Sequence, residues 1–186
     1  MSERKIREWA LPHVTNFRTY IDVGAGSGDT TFPFSQEFKT VYGFEPNPDY
    51  TLEDLGNVRF FKIALSDKAG TAELRLVENF TMLEHGSIAP RRNSEWDGRI
   101  YKVPTLTLDS YNFEDVDLIK IDVEQGELEV INGALETIKK HKPVIIFENK
   151  RNENDVVITI LEGLGYNTQK YKSDTVAWYE EKQWEY

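Results

Sequence analysis

The chain has 186 residues, 39% of them hydrophobic and 12% aromatic, enough for one domain that buries about 70% of its unfolded surface. Its formal charge of −10, from 32 acidic and 22 basic residues, argues against a nucleic-acid partner, since a phosphate-backbone binder displays a basic face. Without cysteine there is neither a disulfide framework nor thiolate chemistry. No apolar run approaches the ~20 residues that cross a bilayer, and the mixed charges of Met1–Glu8 are not a signal-peptide core. A single cytoplasmic domain over 1–186, with no membrane partner, is expected.

Glu3 to Val14 reads as a helix with Ile6, Trp9 and Ala10 on one face until Pro12 disturbs it. Tyr20 to Val23 is a short strand that runs into Gly24, Gly26 and Gly28 at alternate positions. A strand, a glycine loop and then a helix is how open α/β sheets hold a nucleotide-like ligand. The spacing selects the ligand class. A dinucleotide fingerprint needs a third glycine where Asp29 stands, and a carboxylate repels a pyrophosphate. The acidic form beginning at Asp22 suits a ligand with no phosphate and a cationic end. S-adenosylmethionine, with its ammonium and sulfonium, is such a ligand.

Thr31 is expected to N-cap a short helix reaching about Phe38, with Pro33 in its first turn. Residues 40–44 form the second strand, and Glu45 at its tip, before Pro46-Asn47-Pro48, is placed to accept from both ribose hydroxyls. Val58 to Leu65 is the third strand. Just past it, Ser66 and Asp67 open a turn in which Asp67 is either an acceptor for an adenine amino group or a plain turn former. Thr71–Val77 and Arg99–Leu106 alternate as strands that pair antiparallel as an addition to the sheet. The polar stretch between them, 78–98, is expected to be a mobile substrate-side loop.

Asp117 to Val123 is a fourth strand apolar enough to be buried on both faces. Glu127 to Lys140 follows as one helix, with Leu128, Ile131, Leu135 and Ile138 on a face and Lys139, Lys140 and His141 at its negative end. Pro143–Phe147 is the fifth strand, ending in Glu148-Asn149. Asp155 to Leu164 is an amphipathic helix closed by Gly165. Tyr166–Tyr171 and Thr175–Tyr179 then read as a terminal hairpin.

With these pieces placed, the chain resembles the FkbM-type family of S-adenosylmethionine-dependent methyltransferases. The likeness lies in Ile21-Asp-Val-Gly-Ala-Gly-Ser-Gly28, Val41-Tyr-Gly-Phe-Glu-Pro-Asn-Pro48, Ala64-Leu-Ser-Asp-Lys-Ala-Gly70, Val103-Pro-Thr-Leu-Thr-Leu-Asp109, Asp117-Leu-Ile-Lys-Ile-Asp-Val-Glu124 and Pro143-Val-Ile-Ile-Phe-Glu148. Where the family continues Asp-Val-Glu-Gly-Ala-Glu, this chain has Glu124-Gln125-Gly126-Glu127. The resemblance implies a Rossmann-like class I fold: α/β, seven strands ordered 3-2-1-4-5-7-6 with the last antiparallel, helices on both faces. It also implies O-methylation of a hydroxyl on a small molecule or sugar.

The expected cofactor-binding residues are Asp22, Gly24, Ala25, Gly26 and Gly28 in the loop, Glu45 and Pro46, Ser66 and Asp67, and Asp122. Asp122 and Glu124, i and i+2 at the carboxyl end of the fourth strand, are the expected acid–base or acceptor-positioning pair. Lys120 shares their parity and is expected to be structural. Asp122 with Glu148 and Asn149, at the ends of adjacent strands, offers three oxygen ligands of the kind magnesium accepts, though a divalent metal is not expected. His85 is an alternative base, and Trp96, Trp178 and Trp184 offer flat faces to an acceptor.

Two other classes stay open. One is a non-catalytic S-adenosylmethionine-binding or interaction domain. The other, a nicotinamide-dependent oxidoreductase or epimerase, is expected to carry Tyr-x-x-x-Lys or the third loop glycine, and the chain is read as having neither.

Overall fold

The apolar runs form strands because β-branched and aromatic residues fill a pleated surface that is covered on both sides. In the computed structural model, which describes residues 3–76, 86–87, 99–150 and 155–180, the strands are β1 (Thr19–Val23), β2 (Thr40–Phe44), β3 (Val58–Phe61), β4 (Ala64–Leu65), β5 (Gly70–Leu76), β6 (Gly86–Ser87) and β7 (Ile100–Leu106). They continue with β8 (Val116–Ile121), β9 (Val144–Glu148), β10 (Tyr166–Tyr171) and β11 (Asp174–Tyr179). The helices are α1 (Glu3–Ala10), α2 (Thr31–Ser35), α3 (Glu127–Asn132), α4 (Leu135–His141) and α5 (Asp155–Gly163).

Seven strands make the main sheet in the order β10-β11-β9-β8-β1-β2-β3. β3, β2, β1, β8 and β9 are parallel, and β11 enters antiparallel between β9 and β10. Counted along the chain within this sheet, that is 3-2-1-4-5-7-6, as the resemblance implies. Every residue of β1 and of β8 is buried. One face packs Ile21, Ile119 and Phe147 against α3, α4 and α5 through Val130, Ile138, Val157 and Leu161. The other packs Tyr20, Leu118 and Ile146 against Ala10 of α1 and Phe34 of α2. At the amino end of β1, Arg18 clasps Asp117 with Nη2 at 2.6 Å and Nε at 3.0 Å, fixing β1 beside β8.

In its strands and helices the structure departs from the sequence expectations as follows. Val58–Leu65 is not one strand: β3 stays in the main sheet, while Ala64–Leu65 leaves it to pair with β7. β5 and β7 are antiparallel as expected, but they belong to a second, four-stranded sheet, β4-β7-β5-β6, with its own core of Leu74, Leu76 and Val103. Helix 127–140 breaks into α3 and α4 at Gly133-Ala134. There the Gly133 carbonyl accepts from Asp109 N, and a Cβ on Gly133 would stand 2.0 Å from the Ser66 carbonyl oxygen. Asp109 then caps α4, accepting from Glu136 N, Thr137 N and Thr137 Oγ1 at 2.7–3.1 Å. The first helix ends at Ala10 and continues only as a 3-10 turn, Leu11–His13. The expected loop 78–98 lies outside the described residues apart from Gly86–Ser87, which pair with β5.

Candidate active site

The chain leaves β1 toward β2 and β3 on one side, then returns to β8 on the other. Strand order therefore reverses between β1 and β8, and the crevice beyond their carboxyl ends is where such sheets take ligands. The glycine loop occupies that edge. Gly24, Gly26 and Gly28 have φ of +83°, +55° and +87°, a region costly for residues with a Cβ. A Cβ on Gly24 would stand 2.0 Å from the Asp122 carbonyl oxygen, so only glycine lets the loop lie on the end of β8. Gly24 N and Ala25 N both donate to the Phe44 carbonyl, which ties the loop to the end of β2.

Glu45 comes to this loop from the tip of β2. Its Oε2 accepts from Gly26 N and its Oε1 from Asn47 N, each at 2.8 Å. Burial pushes its pKa up, while the N–H groups of Asn47 and Gly26 hold the ionised form against that rise. Each oxygen keeps a lone pair for a further donor. Pro46 follows at the rim, half-buried.

Asp22 lies beneath the loop, fully buried. Its Oδ2 accepts from Thr31 Oγ1 at 2.7 Å, and its Oδ1 accepts no hydrogen bond but faces the Lys120 ammonium at 3.6 Å. Thr31 is thus the first residue of α2 and a partner of Asp22; the N-cap is Thr30, without a side-chain bond. Lys120, buried in β8, also donates to Asp122 Oδ2 at 3.3 Å. Burial works against its charge, and the carboxylates of Asp22 and Asp122 outweigh it, so the lysine is held above its ordinary value. Burial pushes Asp22 up, opposed by Lys120 and Thr31. One ammonium therefore organises two expected site carboxylates, a role that parity along β8 hints at but does not specify.

Beyond β8 the backbone turns sharply. Glu124 and Gln125 have φ of +53° and +82°, consecutive left-handed residues where the family pattern puts a glycine at the second. The turn brings Glu124 beside Glu148 from the end of β9. Carboxylate oxygens of Asp122, Glu124 and Glu148 all lie within 4.8 Å of one another. Among the described residues, Lys150 bridges two of them, its ammonium 2.7 Å from Glu148 Oε1 and 3.7 Å from Glu124 Oε1. Asn149 points elsewhere, its amide donating to Asp155 Oδ1 at the start of α5. Burial raises Glu148 to about 7, with Lys150 lowering it and Asp122 and Glu124 adding to the rise. The sequence marks Glu148 only as a possible metal ligand at a strand end; its grouping with Glu124 and Lys150 appears only in the fold.

The remaining candidates fall at a distance or outside the described residues. Ser66 bonds through its backbone to Leu106 O, packs on Gly133 and donates to the exposed Asp67, which puts both at the margin of the second sheet. His13 stacks on Trp178 at 4.1 Å, so that ring face is covered. Contrary to the sequence reading, Tyr166 and Lys170 do form a Tyr-x-x-x-Lys spacing, but they sit on the edge strand β10 with Tyr166 buried in the core, not beside the glycine loop. His85, Arg91, Arg92, Trp96 and Trp184 lie outside the described residues.

A model of the FkbM methyltransferase domain matches residues 22–168, from the acid under the glycine loop to the terminal hairpin. The chain belongs to the FkbM methyltransferase family. No curated protein matches its sequence. Among solved structures it is similar to an FkbM methyltransferase from Methylobacillus flagellatus KT, at 13% identity and a TM-score of 0.59 over 89% of this chain and 45% of that one. It therefore spans about half the length of that family member. It is also similar to a precorrin-6y C5,15-methyltransferase from Geobacter metallireducens GS-15, at 16% identity and a TM-score of 0.53 over 97% and 90%. A third is the magnesium protoporphyrin IX methyltransferase ChlM from Synechocystis PCC 6803 with bound SAM, at 11% identity and a TM-score of 0.51 over 96% and 78%. At these identities the likenesses describe the fold. No helix among the described residues is long and apolar enough to cross a membrane.

Proposed function

We propose that this FkbM methyltransferase uses S-adenosylmethionine to methylate a hydroxyl oxygen of a small molecule, a sugar among the candidates. The observation that carries the reading is the meeting of Glu45 with Gly26 at 2.8 Å. Two motifs 19 residues apart converge on one cradle lined by carboxylates, which repel a phosphate. The fit extends to the loop itself: nothing lies within 4 Å of a Cβ built on Gly26, so this stretch of backbone stands open to a ligand.

Gly24, Ala25, Gly26 and Gly28 would hold the adenosine, Glu45 its ribose hydroxyls, and Pro46 its rim. Ser66 and Asp67 would approach the adenine from the second sheet. Asp22, through Lys120, keeps Asp122 at the end of β8. The bound cofactor supplies a methyl group already activated on a positively charged sulfur. The protein's share is alignment, which can supply a large part of the barrier reduction. Asp122 and Glu124 would receive the acceptor's hydroxyl as hydrogen-bond acceptors and orient its oxygen. With Lys150 supplying the positive charge among these acids, the reading needs no divalent metal. The net charge of −10 favours a small molecule over nucleic acid, and a cytoplasmic location goes with the reading.

Calorimetry with S-adenosylmethionine, its demethylated product and NAD tests the cofactor. Binding of the first two and not the third is expected. NAD binding alone, or no binding, refutes the reading.

A further inference from the structure

We propose that Glu148 is the residue that takes the proton of the acceptor hydroxyl, with Lys150 as its positioning partner. This rests on the methyl-transfer reading above and assigns its proton-transfer step. Of the three carboxylates grouped beyond β8 and β9, Asp122 and Glu124 are assigned to orienting the acceptor's oxygen, and Glu148 is the most closely held. Asp122 is paired with the buried Lys120, and Glu124 sits on a left-handed turn with Lys150 at 3.7 Å. Glu148 ends a rigid, buried strand next to β8, its side chain 15% exposed, and Lys150 holds it directly at 2.7 Å. A base fixed by packing on one side and an ammonium on the other, yet reachable from the crevice, is what proton removal requires.

The charged groups facing Glu148 come from three elements. They are Lys150 in its own loop, Asp122 and Glu124 from the end of β8, and Asp174, its register partner at the start of β11. Lys120 acts from farther down β8, through Asp122. Burial opposes ionisation of Glu148 most, Asp122 and Glu124 add to it and Lys150 favours the charge, which poises the group near neutrality, where a general base is effective. In the step, the acceptor's O–H bond breaks and its proton passes to the Glu148 carboxylate. The oxygen's electron pair forms the new bond to the methyl carbon, and the pair of the old carbon–sulfur bond stays with sulfur. The proton is then released to water.

The test uses three variants, Glu148→Gln, Glu148→Asp and Lys150→Met, and two readouts. With 13C-labelled glutamate, the Glu148 carboxyl resonance, assigned by its loss in Glu148→Gln, should titrate with a midpoint near 7 in the free protein. The midpoint should move upward in Lys150→Met, because a favourable cation is gone. A midpoint in the ordinary glutamate range overturns the proposal. In the second readout, Glu148→Gln should bind the demethylated cofactor within about 2-fold of the wild type. It should lose about 100-fold or more in kcat, together with the acid limb of the pH profile, while Glu148→Asp keeps part of the rate.

Turnover is measured on a panel of a phenol, a catechol, a methyl glycoside and an α-hydroxy acid. If the wild type binds no cofactor or methylates none of the panel, the methyl-transfer reading fails and the proposal falls with it. If the wild type turns over and Glu148→Gln does so within about 3-fold, the reading stands and Glu148 is not the base.

Discussion

Replacing Glu45 by alanine separates a cofactor-binding role from a structural one. In the folded protein this carboxylate accepts two backbone N–H bonds, from Gly26 and Asn47 at 2.8 Å each. Their loss leaves two donors less well satisfied, a cost of about 1–3 kcal/mol for each that water cannot reach. Against this, ionised Glu45 is held at the expense of burial, which is why its pKa is raised, and alanine removes that expense. The two effects offset, so the melting temperature should move by only a few degrees, about 2–4 °C per kcal/mol for a chain of this size. Cofactor binding has no such offset. Two ribose hydroxyls lose an acceptor in a partly enclosed site, and affinity should fall by about 1–3 kcal/mol, or about 5- to 150-fold. Glu45→Gln should do no better, because its amide presents a donor to one of the two backbone donors. Calorimetry with the demethylated cofactor, beside thermal melts, reads both quantities. Unchanged affinity, or a large loss of stability with affinity intact in the folded fraction, refutes this account of the cradle.

Gln125→Gly should stabilise the fold by about 0.5–1 kcal/mol, since a left-handed residue with a Cβ costs about 1–2 kcal/mol and glycine's extra chain entropy returns part of it; a urea midpoint below that of the wild type contradicts it. Asp109→Ala should destabilise by about 2–4 kcal/mol, combining a lost helix cap with an unsatisfied Thr137 hydroxyl, and a loss under about 1 kcal/mol in urea would show that the α3–α4 break does not depend on the cap. Burial holds Asp22, Glu45, Glu148 and Asp174 above the usual carboxylate values, so the folded state binds more protons than the unfolded one from those values up to about 7. Stability must then fall as pH rises through that window; melting should occur at a higher temperature at pH about 5.5 than at about 8, and the reverse order defeats the assignment. Treatment with a chelator should leave cofactor affinity and turnover unchanged, because Lys150 supplies the local positive charge; restoration of activity by added magnesium would show otherwise.

The amino-acid sequence by itself determined the element types, the glycine loop and the acid that answers it. A run such as Val144-Ile145-Ile146-Phe147 is apolar on both parities and reads as a doubly covered strand, and the alternating glycines admit a backbone that other residues adopt only at a cost. Tertiary contacts decided how those elements are cut and shared. Leu128, Ile131, Leu135 and Ile138 keep helical period straight through Gly133, yet the helix breaks there, because the Ser66 backbone approaches and Asp109 offers a better partner to the next turn. Val58–Leu65 is one hydrophobic run split between two sheets, since periodicity shows which faces are buried and not which strand lies alongside. The same limit hid the charge pairs of the site. Lys120 with Asp22, and Lys150 with Glu124, depend on where strands from distant parts of the chain end. Local sequence carries no record of that distance, because Coulomb energy depends on separation in space.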